Sequence, residues 1–478
     1  MDTLMKRRTF LQNSIAATAG ISAGLFDYAV PVEAFETGRG IGIEEGLAIL
    51  ERGKERNVMP EPRPEIVANP RAVFIIETHV EASRDRRGFF TEARSQIERE
   101  GARAAGLIFR KGSVKGGSTV ISPNCTTVQD SVLSPVVGII TSPDFIAGFF
   151  ETLRELGNTN SIVLERGGGI ISRRKTGFYD VLDRHDIDLI EARYLEYAHY
   201  KKSELNWHRV PGTPRVMKRV PTCRPIGDSD NLFINMPKLK CHNLGLTTLS
   251  MKNLQGTVPQ GYGHYCNRWA VLEHDIKERY GGDFKRDFMG NYYQTIEEGF
   301  LRHRAEGYKY WDYEGLYPLY EKRGGWETFR KAKDSLKDIK EFMDGIHGNL
   351  MWDEMWCQRA MDSASAIRPG INIVEGIIGR DGSGFADGTD HLVNYIVAGL
   401  SMPEVDAVAS CIMGQNPLEL YYTRIAKERG LGETNPEKID IYRLSEDGVT
   451  PIRSVTELRS TPLGVNLHSS REKPRLFW

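Results

Sequence analysis

Apolar positions along this chain recur with two different periods, and the switching between them predicts an α/β fold. Ala72-Val73-Phe74-Ile75-Ile76 is an unbroken apolar run bounded by Pro70 and a polar segment, as expected of a short buried strand. Phe145, Ile146, Phe149, Phe150, Leu153 and Leu156 then recur at helical spacing, behind an N-cap at Ser142 with Pro143 at the first helical position, until Gly157 stops the helix. Ser161 to Glu165 reads as a strand, about Gly177 to Arg184 as a helix, and Ile187 to Ile190 as a strand. Such alternation implies parallel strands joined by right-handed crossovers. Leu232 to Met236 and Leu392 to Ala398 read as further strands. Ser401 and Pro403 open a helix carrying Val405, Asp406, Val408, Ala409, Ile412 and Met413, and another helix runs from Pro417 to Gly430. The expected architecture is a mostly parallel sheet with flanking helices, plus a helical, aromatic-rich insertion.

Regions follow from these patterns: a signal segment (1–35), an N-terminal leader (36–117), the first part of an α/β core (118–267), the insertion (268–365), the second part of the core (366–435) and a C-terminal extension (436–478). The insertion concentrates aromatic residues, among them Tyr308, Tyr310, Trp311, Trp326 and Trp352. It reads as a subdomain packing its own core, with a substrate-covering lid or a surface for a partner as the alternative. Gly167-Gly168-Gly169 lacks the spacing of a phosphate or dinucleotide loop and reads as a plain turn.

At the amino terminus, Lys6-Arg7-Arg8-Thr9-Phe10-Leu11 followed by the small, apolar stretch Ser14 to Phe26 resembles a twin-arginine export signal. That address implies the twin-arginine translocation machinery as a partner and a periplasmic or extracellular location. It also implies contact with the membrane only through the signal segment, if that segment stays uncleaved. A formal net charge of −1 over 478 residues lacks the basic footprint of a nucleic-acid binder. The cysteines, Cys125, Cys223, Cys241, Cys266, Cys357 and Cys411, include no Cys-x-x-Cys pair, so no ferredoxin-type iron–sulfur cluster is expected.

The densest chemistry lies in Lys238-Leu239-Lys240-Cys241-His242 and in the following Thr247-Thr248-Leu249-Ser250-Met251-Lys252-Asn253. Three ammonium groups, an imidazole, three hydroxyls and a carboxamide crowd a predicted strand-to-helix turn, which suits an anionic ligand. In open α/β sheets ligands gather beyond the carboxyl ends of the strands, which is where this turn falls.

Written as Pro-Lys-x-Lys-x-His, then Thr-x-x-Ser-x-Lys-Asn-x-x-Gly, the run Pro237 to Gly256 resembles the signature of the family catalogued as domain of unknown function 362. The resemblance extends over roughly 118 to 432. Ser122-Pro123-Asn124 stands where the family has Lys-Pro-Asn, Arg380-Asp381-Gly382 alters a glycine loop, and Asp406-Ala407 matches a closing helix in which Met402 replaces an aspartate. A histidine after the signature, here His264, is also part of the family pattern.

The expected activity is that of an exported enzyme acting on a carboxylate- or phosphate-bearing small molecule by Lys/His acid–base chemistry. Its catalytic candidates are His242, Lys252 and His264; its substrate-binding candidates are Lys238, Lys240, Thr247, Thr248, Ser250, Asn253 and Asn124; Glu375, Asp381 and Asp406 are supporting acids that orient a base. Clustered lysines depress one another's pKa, so one of them can serve as base or nucleophile. Cys241-His242 and His264-Tyr265-Cys266 offer ligands for a transition metal, although adjacent side chains on an extended segment point to opposite faces. The alternative reading is an exported cofactor-binding or redox accessory protein without catalysis of its own.

Overall fold

The computed structural model describes residues 40–84, 90–91, 93–125, 138–165, 176–192, 202–212, 219–242, 245–258, 350–382 and 388–464. The export segment, the triple glycine, His264, Cys266 and nearly all of the aromatic-rich insertion lie outside them. At the end of the insertion, a helix spans Leu350–Ala366.

One large mixed sheet organises the chain. Its strands in chain order are β1 (Val73–Glu77), β2 (Ser118–Pro123), β3 (Ser161–Glu165), β4 (Leu189–Glu191), β5 (Asn231–Met236), β6 (Lys238–His242), β7 (Leu246–Thr247), β8 (Ile371–Arg380), β9 (Asp390–Gly399), β10 (Ile441–Ser445) and β11 (Gly448–Ile452). Across the sheet they run β11-β10-β1-β9-β8-β5-β2-β3-β4, with β6 paired to β8 and β7 to β6. The half formed by β8, β5, β2, β3 and β4 is parallel throughout, as the strand–helix alternation predicts. β9 inserts antiparallel between β8 and β1. The leader and the C-terminal extension join this same sheet, β1 lying between β9 and β10.

Both faces are covered. Helices α1 (Arg94–Ile108) and α2 (Pro143–Glu155) contribute Ile97, Ala104, Phe145 and Phe149 to the core on one face, with Ile121, Ile234 and Ile373 of the strands. Ser142 caps α2 through its side chain, which accepts from Phe145 N. On the other face, helix α3 (Met402–Ile412) packs Val405, Val408 and Ile412 against Val374, Val397 and Leu239. Each strand divides its alternate side chains between these two cores, so whatever polar group faces inward must find a partner there.

The Lys238 to His242 run departs from the expected turn. Pro237 interrupts the ladder, but its carbonyl accepts Glu375 N (2.9 Å), and the chain re-enters the sheet as β6, parallel to the far half of β8. A proline costs a strand only its own N–H; the carbonyl remains available to carry the pairing across the break. The lysines therefore stand on a strand and share one face.

Candidate functional site: a buried lysine pair at the carboxyl edge of the sheet

Alternation along β6 sorts its residues. Leu239 and Cys241 enter the α3-side core, whereas Lys238, Lys240 and His242 face the opposite side. Cys241 donates to Leu463 O (3.4 Å), and burial pushes its thiol up to about 12, so it is an inert core residue. Cys241 and His242 accordingly do not converge on a metal. Among the described residues no group of three or more His, Cys, Asp or Glu is arranged to hold one.

A five-residue strap, 138–142, crosses the lysine face. Gly138 begins it, packed so closely on β8 that a Cβ would lie 2.5 Å from Gly379 O and 2.9 Å from an oxygen of Asp390. Ile139 O accepts from Lys240 Nζ (2.5 Å), Thr141 N donates to Asn124 O (2.8 Å), and Ser142 N donates to Glu375 Oε2 (3.1 Å). Lys238 Nζ meets the same Glu375 oxygen at 2.5 Å, with both side chains 1% exposed. Glu375 Oε1 accepts Ile377 N (3.1 Å). The carboxylate of Glu375 thus serves a lysine and two backbone amides at once, and the charge of Lys238 is matched inside the protein.

Lys240 differs. It is 2% exposed, and its amine is held well below the ordinary lysine range, first by burial and then by the positive charges of Lys252, Arg380 and Lys238. Lys240 and Arg380 are register partners on β6 and β8, which explains their proximity. Arg380 donates from a terminal nitrogen to Asp390 Oδ1 (2.8 Å). Lys252 sits on the short helix Ser250–Asn253 and is partly exposed.

Beneath that helix runs a chain of buried carboxamides. Asn124 Nδ2 donates to Asn253 Oδ1 (3.1 Å), Asn253 Nδ2 to Asn235 Oδ1 (2.9 Å) and to Ser122 O (3.1 Å), and Asn235 Nδ2 to Asn372 Oδ1 (2.9 Å) and to Ser250 O (3.0 Å). This relay ties the ends of β2, β5 and β8 to the helix and fixes where Lys252 stands. Asp406 of α3 accepts from Ser250 N (2.6 Å) and Met251 N (2.9 Å), anchoring the helix from the other side. Burial raises its carboxyl to about 7, against the opposing pull of those two amides.

With the geometry in place, the chain can be set beside known proteins. A family model described as Domain of unknown function (DUF362) matches residues 120–410. The chain belongs to this family. No curated protein and no solved structure matches it. The DUF362 span runs from β2 to the last turns of α3, and so contains the strap, both buried lysines, the carboxamide relay and all three acids.

The remaining residues named from sequence fall as follows. His242 is buried, and its Nδ1 accepts from Gly245 N (3.2 Å), which leaves the proton of a neutral ring on Nε2. Thr247 and Thr248 are buried beside β6, with Thr248 N donating to Lys240 O (3.1 Å). The three acids go to three different partners. Glu375 pairs with Lys238, Asp406 holds Ser250 and Met251, and Asp381 meets His391 Nε2 at 2.8 Å. Neither Arg380 nor the strap at Gly138 is picked out by sequence pattern, since nothing local marks a residue whose role is to face another strand.

A shallow cleft of about 270 Å³, bordered by Lys54, Ser118, Arg224, Asp228 and Asn231, lies at the opposite, amino-terminal edge of β2 and β5. Its cations are matched by acids, Lys54 by Asp230 (2.8 Å) and Arg224 by Asp228 (3.0 Å).

Proposed function

We propose that the protein is an exported enzyme that acts on a carboxylate- or phosphate-bearing small molecule at the carboxyl edge of the sheet. The observation that carries this reading is the amine of Lys240, buried among Lys252, Arg380 and Lys238 with a backbone carbonyl as its acceptor. A scaffold has no need of a lysine in that setting, because burying an ammonium among cations is unfavourable. A catalytic site does: desolvation and like charge hold the amine well below the ordinary lysine range, which favours the neutral form that can accept a proton or attack a carbonyl. Lys252 and Arg380 supply the field that draws the anion, and the N–H at Nε2 of His242 is the proton donor on the same strand face.

Export rests on the twin-arginine run Lys6-Arg7-Arg8 and the small, apolar stretch after it. Replacing Arg7 and Arg8 by lysine should leave the protein in the cytoplasmic fraction.

The test of the site is calorimetric titration with inorganic phosphate and with simple carboxylates. Lys252→Ala and Lys240→Ala should weaken binding at least about tenfold, while thermal unfolding of Lys252→Ala stays nearly unchanged. Unchanged affinity in both variants would refute the reading, and an equal loss of stability and binding for Lys252→Ala would make that residue scaffold.

A further inference from the structure

Among the described residues, the buried polar atoms at this edge that lack a hydrogen-bond partner include Asn124 Oδ1, Thr248 Oγ1, Arg380 Nε and Asp390 Oδ2. Their residues are all at least nine-tenths buried. The strap 138–142 links their residues. The strap touches Asp390 at Gly138 and Asn124 at Thr141, and three residues of chain reach at most roughly 10 Å. Thr248 is joined through its N–H to Lys240, whose amine meets the strap between those two points. Native proteins leave few such atoms, and a cluster of them calls for an explanation.

What these atoms require is informative. Arg380 Nε is a donor and takes an anion. Asn124 Oδ1 and Asp390 Oδ2 are acceptors, and a carboxylate or phosphate without a proton of its own cannot satisfy them. Thr248 Oγ1 serves either role. We infer that the ligand carries, besides its anionic group, a hydroxyl or ammonium group that donates to Asn124 and Asp390, with Arg380 as a further anion-binding residue. The substrate class is then a hydroxylated or amino-bearing carboxylate or phosphate ester. This inference rests on the anion-binding reading above and narrows it.

The experiment titrates the full chain with matched pairs of probes: lactate against propionate, alanine against propionate, and glycerol 3-phosphate against propyl phosphate. The hydroxyl- or amine-bearing member of at least one pair should bind about tenfold tighter or more, because a site built to bond such a group rejects the analogue lacking it. Thr248→Val should bring that ratio toward one while leaving the affinity for propionate or propyl phosphate in place, and Asn124→Leu, which also breaks the bond to Asn253, should bring the ratio toward one and weaken both members together. Arg380→Met should weaken both members. Thr248→Val, which removes only a partnerless hydroxyl, should unfold no earlier than the wild type without ligand, a result a structural hydroxyl would not give. Equal affinities within every pair would mean that water fills these positions; that overturns the inference and spares the anion-binding reading. Failure of all the probes to bind would overturn both.

Discussion

The buried pair of Lys238 and Glu375 allows the sharpest energetic test of how the strap is held. Both groups are 1% exposed and their charged atoms are 2.5 Å apart, so removing either charge strands the other in a medium that cannot solvate it. Breaking such a pair costs about 3–5 kcal/mol, whereas replacing both members with neutral groups of similar size is often close to neutral. The two halves are not equivalent here. In Lys238→Met the carboxylate of Glu375 keeps its bonds from Ser142 N and Ile377 N, so the loss should fall near about 3 kcal/mol. In Glu375→Gln the ammonium has lost its counter-ion and Ser142 N has lost a charged acceptor, so the loss should approach about 5 kcal/mol. The double variant should recover about 2–4 kcal/mol relative to the sum of the singles. Urea unfolding of the four proteins at one pH gives the cycle. Amide hydrogen exchange at Ser142 supplies a local readout and should accelerate in Glu375→Gln well beyond amides in β3. Single losses under about 1 kcal/mol that simply add would refute the reasoning, because the two charges would then be solvated rather than paired.

Two further outcomes follow from the same region. Asp406 titrates at about 7 in the folded protein against 3.8 for an unperturbed carboxyl, so the native state holds the proton that the unfolded chain releases, and stability should fall as pH rises between those values. At about 1.4 kcal/mol per pKa unit the effect is on the order of 4 kcal/mol, and Asp406→Asn should flatten that part of a stability-against-pH curve; an unchanged slope would assign it to another group. Gly138→Ala places a methyl 2.5 Å from Gly379 O and should lower stability by about 1–3 kcal/mol while exposing the Lys240 amine to acylating reagents. A melting temperature equal to wild type would mean the strap is not pressed on β8 as described.

Much of the fold was legible from pattern alone. The run Ala72 to Ile76, the capped helix after Ser142, the strand Ser161–Glu165 and the helix after Ser401 all stand where apolar spacing puts them, because each is decided by local backbone preference and by which positions must leave water. The strand Lys238–His242 was not. Its proline and its charges read locally as a turn, and only the waiting edge of β8 makes it a strand. The site divides in the same way. The lysines, the threonines and Asn253 stood out as polar groups crowded into one run, Asn124 through the family resemblance, and the structure brings Asn124 to Asn253 and Lys240 to Thr248. Asp381 was named as an acid that orients a base; its partner, His391, went unnamed because the two meet across a strand pair after a loop.

Sequence by itself determined the kinds of element, their order and the chemical inventory of the carboxyl edge. Tertiary structure decided what each charge does: Lys238, 137 residues from Glu375 along the chain, is neutralised, while Lys240 two positions later is desolvated among cations. The physical reason is that backbone preference acts over a few neighbouring residues, whereas electrostatic environment depends on distance and burial in space, and those exist only once the sheet has assembled.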